Sequence, residues 1–430
     1  MIRYHVKALV LVAVLLAIPA GLFAGGQEEL TDEQITIRMW FGREEFIPAD
    51  NFEVFHQENP NIRVEPEVTP LEDAAMDLIR NHEVGTDPDI AQIVMTYTGT
   101  LAERGILQDM SSEFERWLQE DPELYESIAE VAWQSASFNG VPYGMSAHAT
   151  AIWHVWRVDW LEAAGVDGVP ATFAETIDAA IQVRDSGNLE SGQYPYAISG
   201  SSALSTQISF YAYFMAMGGQ FSDDGVPIVD SEEGRYLVEF YRTLVEEELI
   251  NPDSLAWNFG EVRGAFTGGN TGMMVMGANV FPAFIDAGLE YGDDATWIAT
   301  PQPYRDGAES EWQQYGNAFP YVVSSNTDHP AEVAKVLRYL NRADIVGEVA
   351  ARYQPATNRK VSEESDLREQ QPWLAPLHET WLNLTAHPTQ IRQAQINDIV
   401  IEMVQEILDE PDVDADELVR RVQAELDALN

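Results

Sequence analysis

QITIRMWFGREEFIPADNFEVFHQENPNIRVEPEV, residues 34–68, decides the fold. QITIRMWFG (34–42) alternates apolar and polar side chains, the period of a half-buried strand. FIPADNFEVFHQENP (46–60) reads as a helix that closes at Asn59-Pro60, because the residue before a proline is pushed out of helical geometry. NIRVEPEV (61–68) is a second strand. LEDAAMDLIRNHEVG (71–85) supplies another helix, and DPDIAQIVM (87–95) a third strand. Strands alternating with helices imply an α/β domain with a mainly parallel sheet covered on both faces. Ligands of such sheets sit beyond the carboxyl ends of the strands. Those ends are Trp40-Phe41-Gly42-Arg43 and Thr96-Tyr97-Thr98-Gly99.

The rest of the chain is richer in helices. PATFAETIDAAIQVRDSG (170–187) opens with Thr172 and Glu175 at capping-box spacing. Further helices are expected within 201–219, 232–250, 331–342 and 414–430, and short strands at 271–277, 295–299 and 319–324. A chain of 430 residues suggests two or three domains at roughly 100–200 residues each. The pattern implies two α/β lobes, with the chain passing between them more than once.

Composition narrows the function. MIRYHVK followed by the apolar run ALVLVAVLLAI (8–18) reads as an export signal ending near Ala24, with a retained N-terminal anchor as the alternative. Eleven apolar residues fall short of the ~20 that a membrane span needs. The sequence has no cysteine, so a lipoprotein anchor, disulfides and thiolate metal sites are excluded, and a periplasmic location is expected. Net charge is −47, and loss of Arg3 and Lys7 with the signal makes it −49. Such an acidic surface opposes nucleic acid and anionic lipid as partners. It also fits a saline habitat, since near 1 M salt the screening length is only about 3 Å.

Catalytic signatures are missing. No lysine follows a glycine, so there is no P-loop; no G-x-G occurs, and GSSAL (200–204) lacks the second glycine of a nucleophile elbow. His148 and His154 are six apart on an extended segment, and no helical H-x-x-x-H pair supports a zinc site. DVDADE (412–417) begins like a calcium loop, but Glu417 takes the glycine position, so it reads as an acidic helix start. No metal and no cofactor are expected.

An ordered series of segments carries a resemblance. ITIRMWFG, NPNIRVE, GTDPDIAQI, LAERGILQDMS, FNGVPYGM, VDWLEAAGVDGVPATFAETIDAA, MAMGGQFSDDGVPIV, FTGGNTGMMVMGANV, PQPYRDG, YVVSSNTDHPAEVAKVLRYLN and YQPATNRKV follow one another along the mature chain. In that order they resemble extracellular solute-binding protein family 1, the sugar-capturing subunits of ABC importers. The resemblance implies a two-lobed periplasmic-binding-protein fold, each lobe a mainly parallel sheet flanked by helices, hinged by several crossovers. Lobe one is expected to hold 27–143 and 267–318, and lobe two 144–266 and 319–430. Phe266, Gly269, Met273 or Met274, and Gly277 match the family segment that implies a return from the second lobe to the first. The implied partners are a small-molecule solute, most simply a carbohydrate, and ABC permease subunits; the protein is expected to be a monomer without enzymatic activity.

A sugar site needs aromatic plates for C–H faces and planar polar groups for hydroxyls. The resemblance places Trp40, Arg43 and Glu44 past the first strand, and Tyr97 past the third. Tyr143, Ser146 and His148 line the first crossover. Ser199, Ser201 and Ser202 follow the YPYAI strand, where helix capping is the alternative role. Trp257, Asn279, Tyr315, Asn317 and the Arg352-Tyr353 pair complete the candidates. Asn279 stands near the position where the family often has an aromatic. Rival readings are a polyol, glycerophosphodiester or compatible-solute binder, an exported carbohydrate-active enzyme, and a sensor on the same fold. The acidic surface predicts a melting temperature that rises from low to molar NaCl; a flat or falling response in a thermal melt contradicts the halophilic reading.

Overall fold

The computed structural model describes residues 34–201, 203–292, 295–305, 314–352, 355–363, 369, 371–373 and 384–429. The signal expected at 1–24, Ser202, Tyr353 and the Arg352 side chain lie outside them.

Thirteen strands are described. They are β1 (Ile35–Phe41), β2 (Ile62–Val68), β3 (Ile90–Gln92), β4 (Ser137–Phe138), β5 (Val141–Pro142), β6 (Gly144–Met145) and β7 (Ala149–Arg157). The rest are β8 (Tyr194–Ala197), β9 (Thr271–Gly277), β10 (Trp297–Thr300), β11 (Gln314–Ala318), β12 (Tyr321–Val323) and β13 (Leu384–Thr385).

The first lobe is built on a sheet in the order β2-β1-β3-β12-β6. Alternation along β1 sends Ile37, Met39 and Phe41 into one core with Phe52, Phe55 and Tyr339. Trp40 faces the other way, among Ala74, Ala75 and Leu78 of the Leu71–Val84 helix. That helix buries Leu71, Ala74, Ala75, Leu78 and Ile79, the stripe its period requires, and stops at Gly85 in the left-handed conformation.

The second lobe is built on β13-β11-β7-β9-β8, with β10 also paired to β7. β7 is buried along almost its full length, as a central strand covered on both faces must be. One face carries Ile152, Trp156, Met273, Val275 and Tyr315 under helices that include Leu204–Ala216 and Gln393–Asp409. The other carries Trp153, Val155, Met274 and Met276 against Phe266, Phe281, Phe284 and Trp373.

Two expectations are corrected. The sheets are mixed rather than mainly parallel: β1 is parallel to β2 and β3, but β12 is antiparallel to β3 and β6, and β7 is antiparallel to β9, β10 and β11. The reason is connectivity. β7 and β12 enter their sheets directly from the other lobe, without the crossover helix that parallel neighbours need. The allotment of segments also differs. β9 pairs with β7 and β8, so the 266–280 stretch stays with the second sheet instead of returning to the first. β12 joins the first sheet, whereas β13 joins the second. Two described crossings between sheets run from β6 to β7 and from β11 to β12, near the expected points at Tyr143 and Phe319. Gly144 is required at the first, because a Cβ there would stand 1.9 Å from the Tyr321 carbonyl oxygen. Among the described residues no helix is long and apolar enough to cross a membrane.

Three described histidines are buried, His148, His154 and His387. His154 is fully buried in β7, with Nε2 2.7 Å from the Tyr196 hydroxyl, and desolvation lowers its pKa to about 3. His387 is also buried, and desolvation lowers its pKa to about 4. In the unfolded chain both take a proton near pH 6.5. Their contribution to stability is therefore full above about pH 6.5 and is lost as pH falls toward 4. Urea midpoints are expected to drop over that window, with His154 accounting for roughly 2–3 kcal/mol. A His154→Gln variant should show a shallower slope there; an unchanged slope contradicts this assignment.

Candidate functional site

A cavity of about 400 Å³ lies between the two sheets. It opens beyond the carboxyl ends of strands from both lobes: Arg43 stands two residues past β1, Val94 two past β3 and Asn279 two past β9, while Asn317 is the penultimate residue of β11. This is where an open α/β sheet offers a ligand its crevice. Leu71, Glu72 and Phe319 complete the lining on the first-lobe side. Thr150, Ile152, Leu204, Ile208, Phe259, Arg263 and Met276 line it on the second.

Strand register sets the polar groups. Asn317 lies opposite Thr150 across β11 and β7, at 3% and 5% exposure. The Thr150 hydroxyl donates to Asn279 Oδ1 at 3.4 Å. A Cβ at Gly277 would stand 2.5 Å from that same Oδ1, so glycine leaves the room in which the Asn279 side chain folds back over the strand end. The Asn317 amide makes no hydrogen bond among the described residues. Ile152, Ile208 and Met276 are buried around these groups and give the cavity apolar surface. Apolar walls with a few convergent polar groups are the ordinary build of a small-molecule site. Among the described lining residues one carries a carboxylate, Glu72.

The structure brings Arg43, Asn279 and Asn317 to this cavity, and the other expected residues that are described lie outside its lining. Trp40 is buried under the Leu71–Val84 helix, with Nε1 donating to Glu67 at 3.2 Å. Glu44 is exposed at the start of a short 3-10 turn. Tyr97 and Tyr143 pack half-buried against the core around Trp40. Burial, and then the carboxylates of Asp109 and Glu103, raise the Tyr143 pKa. Ser146 ties the two crossings together, its hydroxyl donating to the carbonyls of His148 and Phe319. The His148 ring lies 5.4 Å from that of Phe46. Ser201 N–H donates to the Trp257 carbonyl at 3.1 Å, and Ser199 Oγ donates to the same carbonyl. Those contacts anchor the start of the Leu204–Ala216 helix, and the Trp257 ring is half-buried against the second-lobe core. Tyr315 is fully buried between Tyr211 and His387, with ring centroids 5.9 Å from each.

Sequence reasoning missed Thr150, Phe259 and Arg263. Thr150 is visible only once β7 is aligned with β11. Arg263 had a weak signal as an isolated cation in a sequence with 24 basic and 71 acidic residues.

Comparisons agree with this architecture. The sequence profile of the family described as bacterial extracellular solute-binding protein matches residues 42–346. The maltose-bound MalE3 of T. maritima superposes with a TM-score of 0.74 at 20% identity, covering 92% of this chain and 100% of that one. The sugar-binding protein MalE of Xanthomonas citri gives 0.77 at 16% identity, covering 91% and 96%. An ABC transporter solute-binding protein of Agrobacterium radiobacter K84 in complex with ribitol gives 0.73 at 19%, covering 93% and 100%. At these identities the likeness is one of fold. A probable amino-acid ABC transporter periplasmic-binding protein of Sinorhizobium fredii is 27% identical over 154 residues, 34% of either chain, so the match spans about a third of that relative. A putative binding protein of Brucella abortus is 21% identical over 293 residues, 67% of each. With the family profile covering more than half of its length on a two-lobed α/β frame, the chain belongs to the bacterial extracellular solute-binding proteins.

Proposed function

We propose that this protein captures a hydroxyl-rich solute, a sugar, oligosaccharide or polyol, in the interlobe cavity and delivers it unchanged to an ABC permease. The observation that carries the reading is the polar group set of the second lobe, Asn279, Asn317 and Thr150, held against apolar side chains in a cavity that Arg43 and Val94 of the first lobe also line. Amides donate and accept at once and so match the hydroxyls of a sugar, while the apolar walls match its C–H faces. Structural neighbours whose complexes contain maltose or ribitol support the same class. The solute acts by its differential affinity for the closed arrangement of the lobes, which pivot at the crossings between β6 and β7 and between β11 and β12. Export of the chain through its N-terminal signal and action as a monomer belong to this reading.

A second reading, an amino acid as solute, is favoured by the name of the Sinorhizobium fredii relative. A thermal-shift panel of sugars, polyols and amino acids separates the two. The proposal expects saturable stabilisation by a member of the first two groups, and about tenfold weaker binding by an Asn317→Ala variant of unchanged melting temperature. Stabilisation by amino acids alone, or by nothing in the panel, overturns it.

A further inference from the structure

Among the described residues, the cavity lining has more basic than acidic side chains, the reverse of the chain. The sequence carries 71 acidic against 24 basic residues, yet the cavity lining holds two arginines, Arg43 and Arg263, and one acid, Glu72. Arg43 comes from the first lobe and Arg263 from the second-lobe helix Phe259–Thr267. Most described arginines of this acidic protein have found carboxylates, as Arg157, Arg184, Arg235, Arg242, Arg338 and Arg342 have. Neither Arg43 nor Arg263 makes an ion pair or a side-chain hydrogen bond among the described residues. Arg104 and Arg392 share that lack of a partner among the described residues, but Arg43 and Arg263, both exposed, are the two that line the cavity.

One of three helix starts at the cavity adds to the same field. Leu71 and Glu72, Leu204, and Phe259 with Gly260 border the cavity, and they open helices of 14, 13 and 9 residues. The first two have no side-chain cap; the Leu71–Val84 helix carries Glu72 and Asp73 in its first turn, whereas the Leu204–Ala216 helix has no acid there to offset its positive dipole end. The independent sign of a ligand is Asn317: 3% exposed, lining the cavity, with an amide that no described group satisfies.

The geometry points to an anionic solute: a sugar acid, whose carboxylate is bridged by Arg43 and Arg263 across the lobes and whose hydroxyls meet Asn317, Asn279 and Thr150. This rests on the capture function proposed above and narrows its solute class. Guanidinium and carboxylate match in planar, two-pronged hydrogen bonding, and such charged bonds are about twice as strong as neutral ones. Contact from both lobes also makes the anion itself a reason for closure. At high ionic strength long-range repulsion by the acidic surface is screened, while contact pairs inside the cavity are screened much less.

Isothermal titration of the full mature chain with an aldonate and a uronate, each beside its neutral parent alditol or aldose, tests the inference. The acid is expected to bind at least about tenfold more tightly than its parent. Arg43→Gln and Arg263→Gln variants, checked for unchanged melting temperature, should each weaken the acid more than the neutral parent and so remove most of that preference. Equal or tighter binding of the neutral parents, or a preference that survives both substitutions, overturns the anionic assignment and leaves the capture function standing. Binding of neither acids nor parents overturns both. Binding of inorganic phosphate or of amino acids in preference to sugar acids overturns the sugar-acid class.

Discussion

The structure depends on the way two extended segments cross together between the lobes. β6 passes into β7 and β11 into β12, and the strands flanking the crossing are paired antiparallel, Tyr321 with Met145 in one sheet and Ala318 with Ala149 in the other. Ser146 reaches across to the Phe319 carbonyl at the centre of the crossing. Gly144 lets the backbones lie this close. Because one ladder feeds both sheets, the two sheets meet at the crossing with their strand ends turned toward each other. The carboxyl ends of β1 and β3 and those of β9 and β11 therefore face a common gap, and that gap is the cavity.

A second tie lies along the segment after β13. Ala386 N–H donates to Gln134, Thr389 to the Ser137 carbonyl and Thr100 to the Ile391 carbonyl, all partners on the first-lobe side. Gln390 meanwhile donates to the Asp224 carbonyl in the second lobe. These are exposed or half-buried single hydrogen bonds, worth about 1 kcal/mol each, whereas the crossings are covalent and flanked by paired strands. Relative motion of the lobes is thus cheapest where this strap slides and the crossings flex. Phe41 and Tyr213 sit in separate hydrophobic clusters, while a third joins Met95, Ala129 and Val131 of the first-lobe side to Trp153, Met274 and Met276 of the second.

The local pattern of the sequence carried much of this. The period of two in 34–42 and of 3.6 in 71–84 placed β1 and its covering helix, and strands were read at 271–277 and 319–324 where β9 and β12 lie. What the pattern cannot carry is partnership. A buried run such as Met273–Met276 has the same composition in either sheet, and only the register with β7 and β8 shows which one it joins. The same limit governs the candidate site. Arg43 was legible because it follows a strand end, and Asn279 and Asn317 because they are amides at the ends of recognisable segments. Tyr315 shares a strand face with Asn317 but is covered by Tyr211 and His387, so burial two residues back from the strand end was invisible. Trp40 points to the wrong face by the alternation that identified its strand. Arg263 reaches the cavity only because its helix packs beside β9.

The central claim is that the two lobes close over a solute held between their strand ends. The absence of native cysteine permits a direct measurement, a pulsed electron–electron distance between spin labels at Glu45→Cys and Glu261→Cys, both exposed residues on opposite lobes near the cavity. The account predicts a distance distribution that shortens and narrows when a bound solute saturates the protein. A distribution that stays the same at saturation would contradict it.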